Sequence, residues 1–181
     1  VWFDNVKVPV ENLIGTENQG WTYAKFLLAH ERSGIAGVAR SKKAIERIKQ
    51  IAASEMSYGE PLIQDPAFIR KIADAELELT ALEYTELRTL AKDSAGKGPG
   101  AESSILKIKG TDLQQRVTEL AMEAVGYYAN PHIGTSLSNE FVGPDYATNL
   151  SGTYFNFRKA SIYGGSNEIQ RNIIAKMVLG L

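Results

Sequence analysis

The sequence contains no cysteine among its 181 residues. This absence excludes disulfides, thiol catalysis and cysteine metal sites, and it leads us to expect a cytoplasmic protein. Imidazoles are almost as scarce, since His30 and His132 are the only histidines. They lie far apart, and no carboxylate spacing around them is typical of a metal site. A general base in this chain must therefore be Asp, Glu, Lys, Tyr or one of these two histidines.

A charge excess of either sign is also missing, because the formal net charge is −1. This balance gives no electrostatic reason to expect a nucleic acid or an anionic membrane as a partner. No apolar run approaches the length of about 20 residues that spans a bilayer. The chain begins at Val1 without a methionine, so we expect further sequence upstream in the whole protein.

Helical periodicity is the main positive signal. Apolar residues recur at helical spacing in four stretches, which predict helices over residues 18–54, 66–91, 99–128 and 167–179. Asp65 is a favourable N-cap for the second helix, and Pro66 suits its first position. With no sustained strand pattern, these helices predict an all-α fold, a four-helix up-down bundle over residues 17–181.

Two stretches differ from this bundle. Residues 1–16 alternate apolar and polar side chains, which predicts a short extended segment that ends a preceding domain or linker. Without partner strands, we expect that segment to be loosely held. Residues 129–161 contain several glycine and proline breakers and predict turns with short helices. An irregular stretch of this length is often a functional loop.

The first predicted helix carries an unusual run of small residues, Ser33, Gly34, Ala36, Gly37 and Ala39. Each glycine inside a helix costs on the order of 1 kcal/mol relative to alanine. That cost is explained if another helix, or a ligand, comes close to the backbone. Directly before this run stands Glu31, a carboxylate that could act as a base beside a ligand or simply pair with an arginine at the surface.

The last notable stretch is a glycine turn that leads into the final helix. Gly164 and Gly165 precede Ser166 and Asn167, either of which can cap a helix N-terminus. Such a turn can receive an anion or the edge of a cofactor. It can equally be a tight connection before an ordinary last helix.

The string from Tyr163 to Arg171, Tyr-Gly-Gly-Ser-Asn-Glu-Ile-Gln-Arg, resembles the closing motif of the acyl-CoA dehydrogenase flavoenzymes, Tyr-Glu-Gly-Thr-(Ser/Ala)-(Glu/Gln)-Ile-Gln-Arg. Residues 1–16 also resemble the family's junction between its middle β-domain and its C-terminal helices. The resemblance implies the C-terminal domain of an enzyme that binds FAD and removes a proton and a hydride from adjacent carbons of an acyl-CoA. It further implies a homo- or hetero-tetramer and an acceptor similar to electron-transfer flavoprotein.

The resemblance also assigns roles to residues. The usual catalytic glutamate falls on Gly164, but isovaleryl-type members carry their base on the first long helix, before an arginine, and Glu31-Arg32 matches that place. Glu31 is therefore the implied base, and Arg32 is the implied contact to the CoA side of the substrate. The remaining matches lie near the acyl chain (Tyr163 and Gly164) or near the flavin (Gly165, Ser166 and Glu168).

One part departs from the family pattern. Many members carry an arginine and a later His-Gln pair in the loop after the first helix, and these residues contact the FAD of a neighbouring subunit. Many also have a Gln-x-x-Gly-Gly segment at the end of the third helix. Here Glu55 and Glu123 stand in those regions. Either FAD is held differently, or a different subunit supplies the contacts, as in certain bacterial members with mixed assemblies. The alternative function is therefore a catalytically silent assembly subunit, and we expect these 181 residues alone to be inactive.

Overall fold

The computed structural model describes residues 1–98, 100–131 and 143–181, without the side chains of Ala29, His30, Arg32 and Ser33. The expectations for His132 and for part of the 129–161 stretch thus lie outside the described residues. In these ranges the chain forms α1 (Gly20–Ile35), α2 (Val38–Ser54), β1 (Met56–Ser57), β2 (Glu60–Pro61), α3 (Pro66–Ser94), α4 (Glu102–Val125), α5 (Leu150–Phe157) and α6 (Asn167–Ile174).

The all-α prediction is confirmed, and the two short strands form only a hairpin. β1 pairs antiparallel with β2 through a turn in which Tyr58 and Gly59 have φ of 51° and 90°. Positive φ at both central residues is typical of a tight hairpin turn. No helix in the part of the chain that the structure describes is long and apolar enough to cross a membrane.

Helix α4 is the central element of the fold. It packs against α1, α2, α3, α5 and α6. Its buried residues Leu106 and Leu113 lie in one core with Ile45 and Ile48 of α2 and Ile72 of α3. Because every other helix contacts α4, the positions of the other helices depend on it.

The prediction of one continuous helix over residues 18–54 is wrong. α1 ends at Ile35 and α2 begins at Val38, and Gly37 between them has φ of 62° in the left-handed region. The side-chain amide of Gln114 donates to the carbonyl oxygens of Ile35 at 2.8 Å and Ala36 at 3.0 Å. These bonds from α4 satisfy carbonyls at the helix break, where intrahelical donors are lost.

Ala36 at this break serves helix packing, which was one of the two interpretations of the small residues. Ala36 is fully buried. A Cβ added to Gly110 of α4 would lie 2.5 Å from the Cα of Ala36 and 2.6 Å from the carbonyl oxygen of Ala36. Only a glycine allows α4 to approach the backbone this closely. Gly34 is different, because it is exposed and no atom lies within 4 Å of the place of its Cβ.

Helix ends follow the predicted caps with small shifts. The Asp65 carboxylate accepts from the backbone N–H groups of Ala67 at 2.7 Å and Phe68 at 3.2 Å, so the predicted N-cap is confirmed. α3 extends beyond the predicted end to Ser94, and α4 begins at Glu102 rather than near residue 99. α4 passes into a 3-10 turn at Gly126–Ala129, and α6 passes into a π-helical turn at Ala175–Leu179.

The two irregular stretches have different outcomes. Residues 1–19 contain no strand, only a 3-10 turn at Val10–Asn12, and every residue there is exposed. An isolated extended segment has no partner for its backbone groups, which explains the missing strand. The second stretch contains α5 and 3-10 turns at Asp145–Ala147 and Arg158–Ser161.

We expect Gly110→Ala to lower the free energy of unfolding by about 1–3 kcal/mol, because overpacking forces α4 away from Ala36. Urea unfolding followed by circular dichroism measures the change. Gly152→Ala in α5 is the matched control, because no atom lies within 4 Å of its Cβ position. The control should be neutral or stabilising, by up to about 1 kcal/mol. Equal stability of the two variants would contradict the close approach.

Candidate functional site around the closing turn

The candidate site lies at the turn that precedes α6. Gly164 and Gly165 have φ of 67° and 84°, so both adopt the left-handed conformation that glycine tolerates best. The Ser166 hydroxyl accepts from the backbone N–H of Ile169 at 3.5 Å, which confirms the predicted N-cap. Tyr163 and Glu168 on either side of this turn are exposed.

A buried glutamine holds the turn in place. Gln170 is fully buried, and its side-chain amide donates to the carbonyl oxygens of Gly164 at 3.2 Å and Gly165 at 3.4 Å. The side-chain oxygen of Gln170, Oε1, accepts from the Ser104 hydroxyl of α4 at 2.8 Å. The conformation of both glycines is thus tied to α4 through one side chain.

A buried lysine fixes the same segment a second time. The Lys107 ammonium of α4 is fully buried and donates to the Ser161 carbonyl at 3.0 Å and to Asn167 Oδ1 at 2.9 Å. The Asn167 amide in turn donates to the Asp112 carboxylate at 3.0 Å. Burial lowers the pKa of Lys107, whereas the negative charges of Asp112 and Glu168 act to raise it. Lys107 therefore connects the segments before and after the glycine turn.

The turn packs against the C-terminal end of α1. A Cβ added to Gly164 would lie 2.5 Å from Cδ1 of Ile35. Glu31 is exposed and precedes Ile35 by one helical turn, so both side chains lie on the same face of α1. Glu31 therefore lies one helical turn along α1 from the residue that contacts the closing turn.

The predicted site residues fall into two groups. The closing turn and the start of α6 bring together Tyr163, Gly164, Gly165, Ser166 and Glu168, and α1 carries Glu31 one helical turn before Ile35. The side chain of Arg32 lies outside the described residues, so its role remains a prediction. The pKa of Glu168 is lowered by hydrogen bonds from its own backbone N–H and from the Ser166 hydroxyl, which favours the charged carboxylate.

Sequence reasoning missed three residues that position this site, Lys107, Gln114 and Gln170. Each is a polar side chain that is buried within the bundle. Lys107 directly follows the buried Leu106, and a charged residue at that place in a helix is the signal that could have identified it. Gln170 was within the recognised motif, but its spacing alone does not show that it turns back to the glycines.

The residues around the turn are compatible with a flavin edge, whereas the loop after α2 is not suited to a phosphate. Tyr163, Gly165 and Glu168 are exposed, so their side of the turn is accessible to a planar group. In the loop, the Glu55 carboxylate accepts from the Tyr146 hydroxyl at 2.8 Å, and this hydrogen bond raises the pKa of Tyr146. A carboxylate already bound by a hydroxyl would repel a pyrophosphate rather than bind it.

We expect Lys107→Met to lower the free energy of unfolding by about 1–3 kcal/mol, because the Ser161 carbonyl and Asn167 Oδ1 lose their buried donor. Urea unfolding measures the loss. Lys109→Met, an exposed position on the same helix, is the control and should change stability by no more than about 0.5 kcal/mol. If both variants are equally stable, Lys107 does not hold the turn.

Comparison with known proteins agrees with this geometry. Residues 18–179 match the family described as acyl-CoA dehydrogenase, C-terminal domain. The chain is 30% identical to acyl-CoA dehydrogenase FadE26 of Mycobacterium tuberculosis over 99% of its own length and 44% of that protein. Members of the family depend on FAD, and a flavin complex is among the solved structures with this fold.

Two solved structures show the same fold over nearly the whole chain. Butyryl-CoA dehydrogenase from Megasphaera elsdenii superposes with a TM-score of 0.78 at 23% identity, covering 98% of this chain and 43% of that one. A chain of the ChsE4–ChsE5 complex from Mycobacterium tuberculosis gives 0.78 at 26% identity, covering 99% and 45%. The chain thus spans less than half the length of these relatives. It belongs to the acyl-CoA dehydrogenase family and corresponds to the family's C-terminal helical domain.

Proposed function

We propose that the whole protein is an FAD-dependent dehydrogenase that forms an α,β double bond in an acyl-CoA, with Glu31 as its base. The contact between Ile35 and Gly164 carries this proposal. It puts the α1 face that bears Glu31 beside the turn where most family members hold their glutamate. A carboxylate on α1 can therefore act at this surface, where Gly164 stands in place of the family's usual glutamate.

The proposed reaction needs one base in this domain. The Glu31 carboxylate takes the proton from the carbon α to the thioester, and the electron pair of that C–H bond forms the new double bond. The hydrogen on the β carbon leaves as a hydride, which FAD accepts when it is bound. Exposure of Glu31 in this domain leaves its carboxylate free to meet a substrate.

The other residues bind and orient. Arg32 is proposed to bind the CoA side by charge-assisted hydrogen bonds. Tyr163 and Gly164 border the acyl chain, and Gly165, Ser166 and Glu168 border the flavin. Since Gln170 and Lys107 fix the backbone of this turn, its edge has a set position when the two ligands meet. The acceptor of the electrons would be a protein similar to electron-transfer flavoprotein.

We expect Glu31→Gln in the full-length protein to lower the rate of flavin reduction by acyl-CoA by about 100-fold or more, the usual contribution of a general base. Anaerobic bleaching of the flavin absorbance measures this rate. Glu60→Gln, an exposed carboxylate of β2, is the matched control and should reduce flavin at the normal rate. A Glu31→Gln protein that keeps its flavin and its normal rate would refute the assignment.

A second candidate is supported by the bond between Tyr146 and Glu55. The resemblance implies a cation in this loop, toward the flavin of a neighbouring subunit, and Glu55 is a carboxylate instead. The protein could then act as a silent assembly subunit of a hetero-tetramer, completing an active partner. In this case, purified full-length protein would be colourless and inactive and would gain both flavin and activity with a paralogous subunit. A yellow, active homo-tetramer would support the dehydrogenase instead.

A further inference from the structure

A cavity lies on another part of the domain, between α2, α4 and α5. Its volume is about 320 Å³, within the range of about 300–1,000 Å³ that is usual for small-molecule pockets. The floor is apolar and includes Ile48 and Ile51 of α2, Val117 of α4 and Leu150 of α5. An aliphatic or aromatic body would therefore be desolvated there at a gain in free energy.

The rim of this cavity is cationic. Arg40, Lys43 and Arg47 line it at successive turns of α2, and all three are exposed. None of the described lining residues is acidic. The nearest carboxylate in the sequence, Glu46, instead pairs with Lys49 at 3.2 Å. Within the part of the chain that the structure describes, the three rim cations form no ion pair, so their charge is available to an anion.

This cavity is separate from the closing turn. On α4, Lys107 is the central residue that holds the closing turn. Thr118 of the same helix lines the cavity. Eleven residues of α-helix separate these positions, which is about 16 Å along the axis. The cavity is therefore lined by a different part of α4 from the part that holds the closing turn.

We propose that this cavity binds a small amphiphile, with its apolar body on the floor of Ile48, Val117 and Leu150 and its anionic head group at Arg40, Lys43 and Arg47. The cluster of three cations selects for negative charge, since each can donate charge-assisted hydrogen bonds to a carboxylate, sulfonate or phosphate. The apolar floor selects against inorganic anions, which have no surface to bury there. Both features are needed together, and the site is independent of the proposed dehydrogenase activity.

The test uses 8-anilinonaphthalene-1-sulfonate, an apolar aromatic body with an anionic head, titrated into the full-length protein while its fluorescence is followed. We expect saturable binding that octanoate and octyl phosphate displace. Octanol, which lacks the charge, and inorganic phosphate, which lacks the apolar body, should displace it only weakly. The relative strengths of octanoate and octyl phosphate show which head group the site prefers.

Two variants separate the two halves of the site. Arg40→Gln/Lys43→Gln/Arg47→Gln should weaken binding by about fivefold or more, as expected for the loss of three exposed ion pairs. Ala121→Leu adds bulk to the lining without changing charge and should abolish saturable binding. Arg70→Gln/Arg88→Gln/Lys109→Gln is the matched control, since it removes three exposed cations elsewhere and should bind normally.

Salt dependence gives an independent measurement. Affinity for the sulfonate should fall as the NaCl concentration is raised, because salt screens the interaction between exposed charges. The Debye length is about 10 Å at 0.1 M salt and shortens as salt is added. The proposal is overturned if the full-length protein shows no saturable binding. It is also overturned if either the triple glutamine variant at the rim or Ala121→Leu binds as tightly as the unmodified protein.

Discussion

The buried ammonium of Lys107 is the interaction on which the arrangement of this domain depends most. It binds Ser161 before the glycine turn and Asn167 after it, so the two sides of the turn share one donor. A buried charge is costly unless its hydrogen bonds are made, and removal of a partner leaves that cost uncompensated. The chain around Lys107 is thereby restricted to arrangements that keep both acceptors close.

Three glutamines extend the same principle along the domain. Gln114 donates to two carbonyls at the α1–α2 break, and Gln170 donates to two carbonyls of the glycine turn. Gln115 donates to the carbonyls of Phe157 at 3.3 Å and Arg158 at 3.1 Å, at the end of α5. At each place the helical ladder stops, and a side-chain amide supplies the donor that the backbone lacks. Apolar packing brings the helices together, and these directional bonds set how the irregular segments lie on α4.

The sequence predicted those features whose cause is local. Asp65 before Pro66, and Ser166 before α6, cap helices through atoms only two or three residues away, so composition and spacing were sufficient. The break at Gly37 has a distant cause, because Gln114 and Gly110 act on it from another helix. Apolar periodicity continues across the break, so it predicted one helix. Lys107 was missed for the same reason, since its partners Ser161 and Asn167 are more than 50 positions away.

The proposed exchange of the base position from Gly164 to Glu31 rests on that three-dimensional arrangement. A base is defined by where its carboxylate lies relative to a substrate, and not by which segment provides it. A Cβ added to Gly164 would lie 2.5 Å from Cδ1 of Ile35, and Glu31 lies one helical turn before Ile35. A glycine at 164 allows φ of 67° without strain and leaves that surface clear for a side chain from α1. Gln114 of α4 fixes the end of α1. Gln170 of α6 fixes the turn and is itself held by the Ser104 hydroxyl of α4. The same helix therefore sets the positions of both elements between which the proposed reaction would take place.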